Sequence, residues 1–133
     1  MHRLTVPTDR REQFVDITRA VADAAAALGV SDGAVLVFSP HTTAGISINE
    51  GYDPDVAGDV LAWMASNVPH RGPYRHAEGN SDSHIKAIMT GNSQLVPVSH
   101  GRLQLGRWQA VFLCEFDGPR TRQVWVSPLS APA

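Results

Sequence analysis

The chain has 133 residues, 43% hydrophobic and 18% charged, with 11 Lys and Arg against 13 Asp and Glu for a formal net charge of −2. That is enough apolar material for the core of one domain over residues 1–133, and the charge balance gives no general attraction to nucleic acid or to a membrane surface. The single cysteine, Cys114, excludes an intrachain disulfide, and with no apolar signal core in "MHRLTVPTDRRE" and no apolar run long enough to span a bilayer, the expected location is cytoplasmic.

In chain order, "HRLTVPT" alternates apolar and polar residues and predicts a strand ended by Pro7. "TDRREQFVDITRAVADAAAALGV" predicts a helix, with Asp9 and Glu12 as a capping box. Phe14, Ile17, Val21, Ala24, Ala25 and Leu28 fall on its inner face, and Gly29 stops it. "GAVLVFSP" is a buried strand by its valine content, and "AGISINE" alternates as the next one. "DPDVAGDVLAWMAS" is a second helix, capped by Asp53 with Pro54 in the first position and Val56, Ala57, Val60, Leu61 and Met64 facing inward. "NVPHRGPYRHAEGN" is a loop, and "HIKAIMTG" a helical turn or short helix. "QLVPVS" and "RLQLG" form a hairpin about His100 and Gly101. "RWQAVFLCEF" places Trp108, Ala110, Phe112, Cys114 and Phe116 on one face and Gln109, Val111, Leu113 and Glu115 on the other. After a "DGPR" turn, "RQVWVSP" is the last strand. Two principal helices early and many strands late predict an α+β fold with a mainly antiparallel, sandwich-like core.

Three polar clusters carry candidate chemistry. In "SPHTTAG", His41 is a base or metal ligand, and the hydroxyls of Thr42 and Thr43 suit phosphate; the alternative is a turn whose hydroxyls satisfy backbone groups. In "NEGYD", Asn49 and Glu50 end a strand, and Glu50 reads equally as an exposed carboxylate; Asp53 is explained by capping. The densest cluster, "HAEGNSDSHIK", sets His76, Glu78, Asn80, Asp82 and His84 at alternate positions about Gly79. Imidazoles and carboxylates in one loop suit zinc or a similar divalent ion, although the spacing is no standard zinc signature; the alternative is a solvated loop with Asp82 as a cap. Arg120, in a Gly-Pro turn, suits phosphate or a pair with Asp117. Trp108 reads as core and Cys114 as a packed thiol.

Taken together and in order, "SPHTTAGISINE", "HAEGNSDSHIKA", "GRLQLGRWQ" and "EFDGPRTRQV" resemble the YjbQ-like family, also called secondary thiamine-phosphate synthases. The resemblance covers essentially the whole chain. It implies a compact sandwich-like α+β fold assembled as a homotrimer, with polar pockets near subunit contacts, and a thiamine-phosphate synthase activity that is secondary. Carried over by residue, His41, Thr42, Thr43, Asn49, Glu50, His76, Glu78, Gly79, Asn80, Asp82, His84, Gly106, Trp108, Gln109, Asp117, Gly118 and Arg120 match family motifs, with Lys86 following.

The implied reaction joins hydroxymethylpyrimidine diphosphate to a thiazole phosphate and releases pyrophosphate. Charge builds on the leaving group as its bond to carbon breaks, so cations or a metal must meet it. Lys86 and Arg120 are the expected anion binders, with Thr43 and Gly79 also in the substrate-binding set. Thr42 and Asn80 orient substrate. His41, His76 and His84 are the expected ligands of a divalent ion, zinc or magnesium, with Asn49, Glu50 and Asp82 completing the catalytic set. The partners expected are small phosphorylated substrates and further copies of the chain. Two alternatives are a metal-dependent hydrolase of a small phosphorylated substrate and a non-enzymatic trimer that binds a metal or small molecule.

Overall fold

The computed structural model describes residues 1–129. The elements are β1 (His2–Pro7), β2 (Gln13–Asp16), α1 (Thr18–Ala27), β3 (Gly33–Phe38), β4 (Ala44–Glu50), α2 (Pro54–Asn67), α3 (Ser81–Thr90), β5 (Ser93–Ser99), β6 (Arg102–Leu103), β7 (Gln109–Glu115) and β8 (Thr121–Leu129). All strand pairs are antiparallel, in two sheets ordered β1-β8-β3-β5-β6 and β2-β7-β4. The expected α+β class holds; the described residues form three helices, the two principal ones and, over Ser81–Thr90, the short helix expected around "HIKAIMTG".

The main core lies between the sheets. Val35, Val37, Val96, Val98, Val124 and Val126 come from the larger sheet, Ile46, Val111 and Leu113 from the smaller, and Val21, Ala24 and Ala25 from α1. Branched side chains suit a pleated surface, which is why valine dominates. The outer face of the smaller sheet carries a second cluster, built from Ala110, Phe112, Cys114 and Phe116 with Ala87 of α3. Strand β7 is therefore buried on both faces, and its two alternating sets serve two different cores. Trp108 departs from expectation. It precedes the strand, is 48% exposed, and stands between Arg107 and Tyr52, whose ring centroid lies 5.2 Å away.

The first helix also starts later than its capping signal suggests. Residues Gln13–Asp16 pair with β7, Phe14 opposite Cys114, and Phe14 packs on the second cluster. Cross-strand pairing and burial outweigh the Asp9–Glu12 box here. The helix is opened instead by Asp16, whose carboxylate accepts from the Thr18 amide at 2.9 Å and hydroxyl at 2.7 Å. In α2 the cap is as expected, Asp53 accepting from the Asp55 amide at 2.9 Å. Its predicted inner stripe is not buried; only Leu61 and Met64 pack partly on the second cluster. The hairpin turn is confirmed by positive φ at both His100 (52°) and Gly101 (74°), as a two-residue primed turn requires.

Among the connections that cross between the sheets, two frame the site: residues 39–43 from β3 to β4, and residues 116–120 from β7 to β8. Ala44 pairs with Glu115, so both crossings lie at the same end of the sandwich. The start of α3 reaches that end too: Ser83 Oγ donates to the Phe116 carbonyl at 2.6 Å.

Candidate functional site at the sheet crossings

The crossing of residues 39–43 is shaped by its own hydroxyls. Ser39 Oγ donates to the Ala44 carbonyl at 2.9 Å, and Thr43 is buried with its Oγ1 accepting from Arg122 Nη2 at 2.8 Å. Arg122 is only 4% exposed. Its Nε donates to both oxygens of the buried Glu115 carboxylate, at 2.9 and 3.0 Å, and Thr8 Oγ1 donates to the same carboxylate at 2.8 Å. A buried charge is tolerated only when paired and hydrogen-bonded in this way. Among the described residues nothing accepts from Arg122 Nη1, and Arg122 lines the pocket above it.

His41 lines the same pocket, and its tautomer follows from one contact. Its Nε2 accepts the Gln123 backbone N–H at 2.9 Å, so the ring proton of the neutral form sits on Nδ1. Burial first, then the nearby Arg122 guanidinium, holds the His41 pKa below the ordinary histidine value. His41 thus stands neutral, as a donor through Nδ1.

The pocket measures about 330 Å³ and is lined by His41, Thr42, Thr43, Glu78, Asn80, His84, Asp117, Arg120 and Arg122, with Pro40 at its edge. Arg120 makes the expected pair with Asp117 and also lines the pocket. Its Nε donates to the Asp117 carbonyl at 2.7 Å and its Nη2 to the Asp117 carboxylate at 3.1 Å, while its side chain stays 53% exposed in the pocket wall. Asn80 Nδ2 donates to the same carboxylate at 2.8 Å. Burial alone raises the Asp117 pKa, but the hydrogen bonds from Asn80 and Arg120 prevail and hold it below the usual carboxylate range. With Asp117 so occupied, the donors left for a ligand are two guanidinium groups, the Thr42 hydroxyl and the His41 imidazole, beside two acceptors, the Glu78 carboxylate and the buried, unpartnered Asn80 Oδ1. Donors of this kind converging on one cavity suit a phosphoryl or other oxyanion.

The dense motif around Gly79 does not act as one unit. His84 faces this pocket, and His76 lies beside it, the rings edge to face at 5.3 Å between centroids. Glu78 reaches His76 Nε2 at 3.7 Å. Gly79 takes φ +73° in the turn before α3, and its carbonyl lies 3.1 Å from His70 Nε2. Asp82 and Lys86 go inward instead. Both are fully buried; Lys86 Nζ donates to Asp82 at 2.8 Å and to Glu12, and Arg11 clamps Asp82 with two bonds of 3.0 Å. Burial opposes ionisation of Asp82, but the Arg11 and Lys86 bonds overcome it and lower its pKa. These placements correct two expectations: Lys86 is not a substrate-facing cation, and Asp82 is not a free proton acceptor, because each neutralises the other inside the protein.

Asn49 and Glu50 are also displaced from the site. They end β4, roughly 20 Å along the strand from Ala44 at about 3.3 Å per residue. The Glu50 carboxylate accepts from the Tyr52 amide at 2.9 Å and opens the approach to α2. It lines a separate cavity of about 350 Å³ with Arg10, Glu12 and Asp53. The three-histidine metal centre does not fit this arrangement either. His41 Nε2 is committed to the Gln123 amide, and among the described residues no three His, Cys, Asp or Glu side chains meet as a metal-binding group. Any divalent ion would rest on His76 and His84.

Two residues that matter most at this end, Arg122 and Arg11, lie outside the expected site set. The sequence does carry a signal for the first. Arg122 alternates with Val124 and Val126 on one face of β8, and Glu115 shares a face with Val111 and Leu113. A lone cation and a lone anion on two core-facing stripes point to a buried pair.

The comparisons agree with this architecture across the chain. Residues 2–131 match the family model described as UPF0047 protein YjbQ-like. The UPF0047 protein YugU of Bacillus subtilis is 46% identical over 124 residues, covering 92% of this chain and 94% of that one. A crystal structure of a YjbQ/UPF0047 family protein from Clostridium acetobutylicum superposes with a TM-score of 0.95 at 47% identity, covering 97% of this chain and 100% of its own. A conserved hypothetical protein from Thermus thermophilus gives 0.90 at 52% identity, with 97% and 100% covered. None of these three names states an activity. The chain belongs to the UPF0047 YjbQ-like family.

Proposed function

We propose that the protein is an enzyme of small phosphorylated substrates, a transferase of the thiamine-phosphate synthase type, working in the pocket between the two sheet crossings. The observation that supports this best is Arg122, 4% exposed, which lines the pocket and whose Nη1 meets no acceptor among the described residues. Bond by bond, the thiazole nitrogen attacks the methylene carbon of hydroxymethylpyrimidine diphosphate, a C–N bond forms, and the C–O bond breaks with its electron pair leaving on pyrophosphate. Arg122 and Arg120 neutralise that developing charge, and the Thr42 hydroxyl and His41 Nδ1–H donate to its oxygens. No protein group needs to accept a proton in this step, which suits a His41 whose Nε2 is already occupied.

The test is direct. Purified protein given both substrates should form thiamine phosphate and pyrophosphate in equal amounts, and the gene should rescue a thiamine-requiring strain that lacks its main synthase. Arg120→Ala, which breaks only a half-exposed pair with Asp117, should lower both about tenfold. No product from wild-type protein, with intact folding, rejects the reading.

The His76–His84 pair with Glu78 beside it favours a second reading, a metal-dependent hydrolase. That reading expects release of free alcohol from a phosphate ester with no acceptor present, and loss of it on chelation. Assembly as a homotrimer belongs to the proposal as well. Tyr52, Trp63, Met89 and Leu95 are exposed apolar side chains, and α2 has no buried residue, which suits coverage by further copies. Sedimentation equilibrium at three times the monomer mass is the expected result.

A further inference from the structure

The arginine-lined pocket has a neighbour. A cavity of about 460 Å³ shares His41, Thr42 and His84 with it and continues between β4 and α3. Its other walls are Ala44, Ala87, Ile88, Gly91 and Asn92, with no lysine or arginine. Small side chains on both sides leave a slot, and its size falls within the range of about 300–1,000 Å³ usual for small-molecule sites. The slot has a fixed floor. The Ile46 amide donates to the Gly91 carbonyl at 3.0 Å, and a Cβ on Gly45 would come within 2.5 Å of that same oxygen, so β4 and the end of α3 are packed as closely as backbone allows.

We propose that the two cavities are the two lobes of one site, whose ligand is an organic phosphate or diphosphate of an uncharged ring, with the phosphoryl end in the arginine lobe and the ring between Ala44, Ala87 and Ile88. The inference rests on the anion reading above and adds to it the assignment of the second lobe. The charge difference between the lobes sets the orientation. Arg122 and Arg120 attract the phosphoryl end, and a second phosphate would be desolvated in the slot without any cation to meet it. The imidazoles of His41 and His84 line both lobes, so the bond joining ring portion to phosphoryl portion passes between them. Asn92 is the one polar side chain that belongs to the slot alone, so the ring meets few hydrogen-bonding partners there.

Calorimetric titration with inorganic phosphate and with phenyl phosphate tests this on the full chain. Wild-type protein should bind phenyl phosphate at least tenfold more tightly than phosphate. Arg120→Ala, which breaks only a half-exposed pair, should weaken both by about tenfold. Ile88→Asp, at a position 82% exposed where folding is not at stake, should weaken phenyl phosphate by tenfold and leave phosphate unchanged. Ala87→Leu, which fills the slot, should do the same. Equal affinity for the two probes in wild type, or an equal loss of both in Ile88→Asp, overturns the ring lobe and leaves the anion pocket standing. Failure of both probes to bind wild type overturns the anion pocket, and the ring lobe with it.

Discussion

Two sets of charges flank the start of α3 and serve opposite ends. Asp82 and Lys86, with Arg11 and Glu12, form a closed interior network in which every charge is matched. Arg120 and Arg122, with His41, form an open one in which nitrogen donors are left over at a cavity. The first holds α3 in place, and the second has capacity to bind. The dividing surface runs through α3 itself. His84 looks to the cavity, while Asp82 and Lys86, four apart on the opposite side, look to the interior.

The sharpest way to break this comparison is to open the closed network. Asp82→Ala leaves Lys86 and Arg11 facing each other with a buried charge unmatched, and should cost about 3–5 kcal/mol. Urea denaturation with an unchanged slope reads it. Lys86→Met should cost less, because Arg11 still neutralises Asp82. Equal costs for the two would mean that Arg11 contributes nothing. The same network sets an acid limit. The folded pKa of Asp82 lies below its unfolded value, so its contribution is complete above an unfolded pKa of about 3.9 and fades as pH falls through the folded value. Stability should be flat in this term from neutrality down to about pH 5, and Asp82→Asn should remove the loss seen below that.

Opening the second set should behave in the reverse sense. Arg120→Ala breaks a half-exposed pair with Asp117 and should change stability by no more than about 1 kcal/mol. Its effect on phosphate affinity should be larger, about tenfold, because a charge-assisted bond is worth roughly 1.5–3 kcal/mol. A variant that loses stability but keeps its affinity would place Arg120 with the interior network.

How much of this was legible follows from geometry. Strand β4 and the cap of α2 were readable because alternation and an Asp-Pro start are local signals. The site was readable only in part. His76, Glu78, Asn80, Asp82 and His84 sit at alternate positions, a spacing that would share one face of a strand. On α3, residues two apart are turned about 200° from one another, at about 3.6 residues per turn, so Asp82 and His84 must separate. Lys86 then follows Asp82 inward as its i+4 neighbour. The pairing of Arg11 with Asp82 spans 71 residues, and that of Thr43 with Arg122 spans 79; no local pattern reports a contact across such distances. Glu50 failed for another reason. A strand end can lie at either end of a sandwich, and the register that puts Ala44 beside Glu115 sends Glu50 to the far one.

The smallest expected effect is also the most specific, and it concerns His41 alone. Burial and the Arg122 charge lower its pKa, so His41 should titrate below about 6.5 by NMR in the free protein. Because the folded value is depressed, the neutral ring stabilises the fold above the unfolded pKa, and that contribution is lost as pH falls through the folded one. The Gln123 amide adds a structural marker. While it donates to Nε2, the proton stays on Nδ1, and the nitrogen shifts of the two ring positions should differ as that tautomer demands. Saturating inorganic phosphate should raise the titration midpoint, since an anion near the ring favours its protonated form, and leave the Nδ1–H tautomer in place at neutral pH. A midpoint unmoved by phosphate would put the anion beyond reach of His41, and a proton found on Nε2 would rule out the Gln123 contact, since a protonated ring nitrogen accepts no amide, and would make Nδ1 an acceptor rather than a donor.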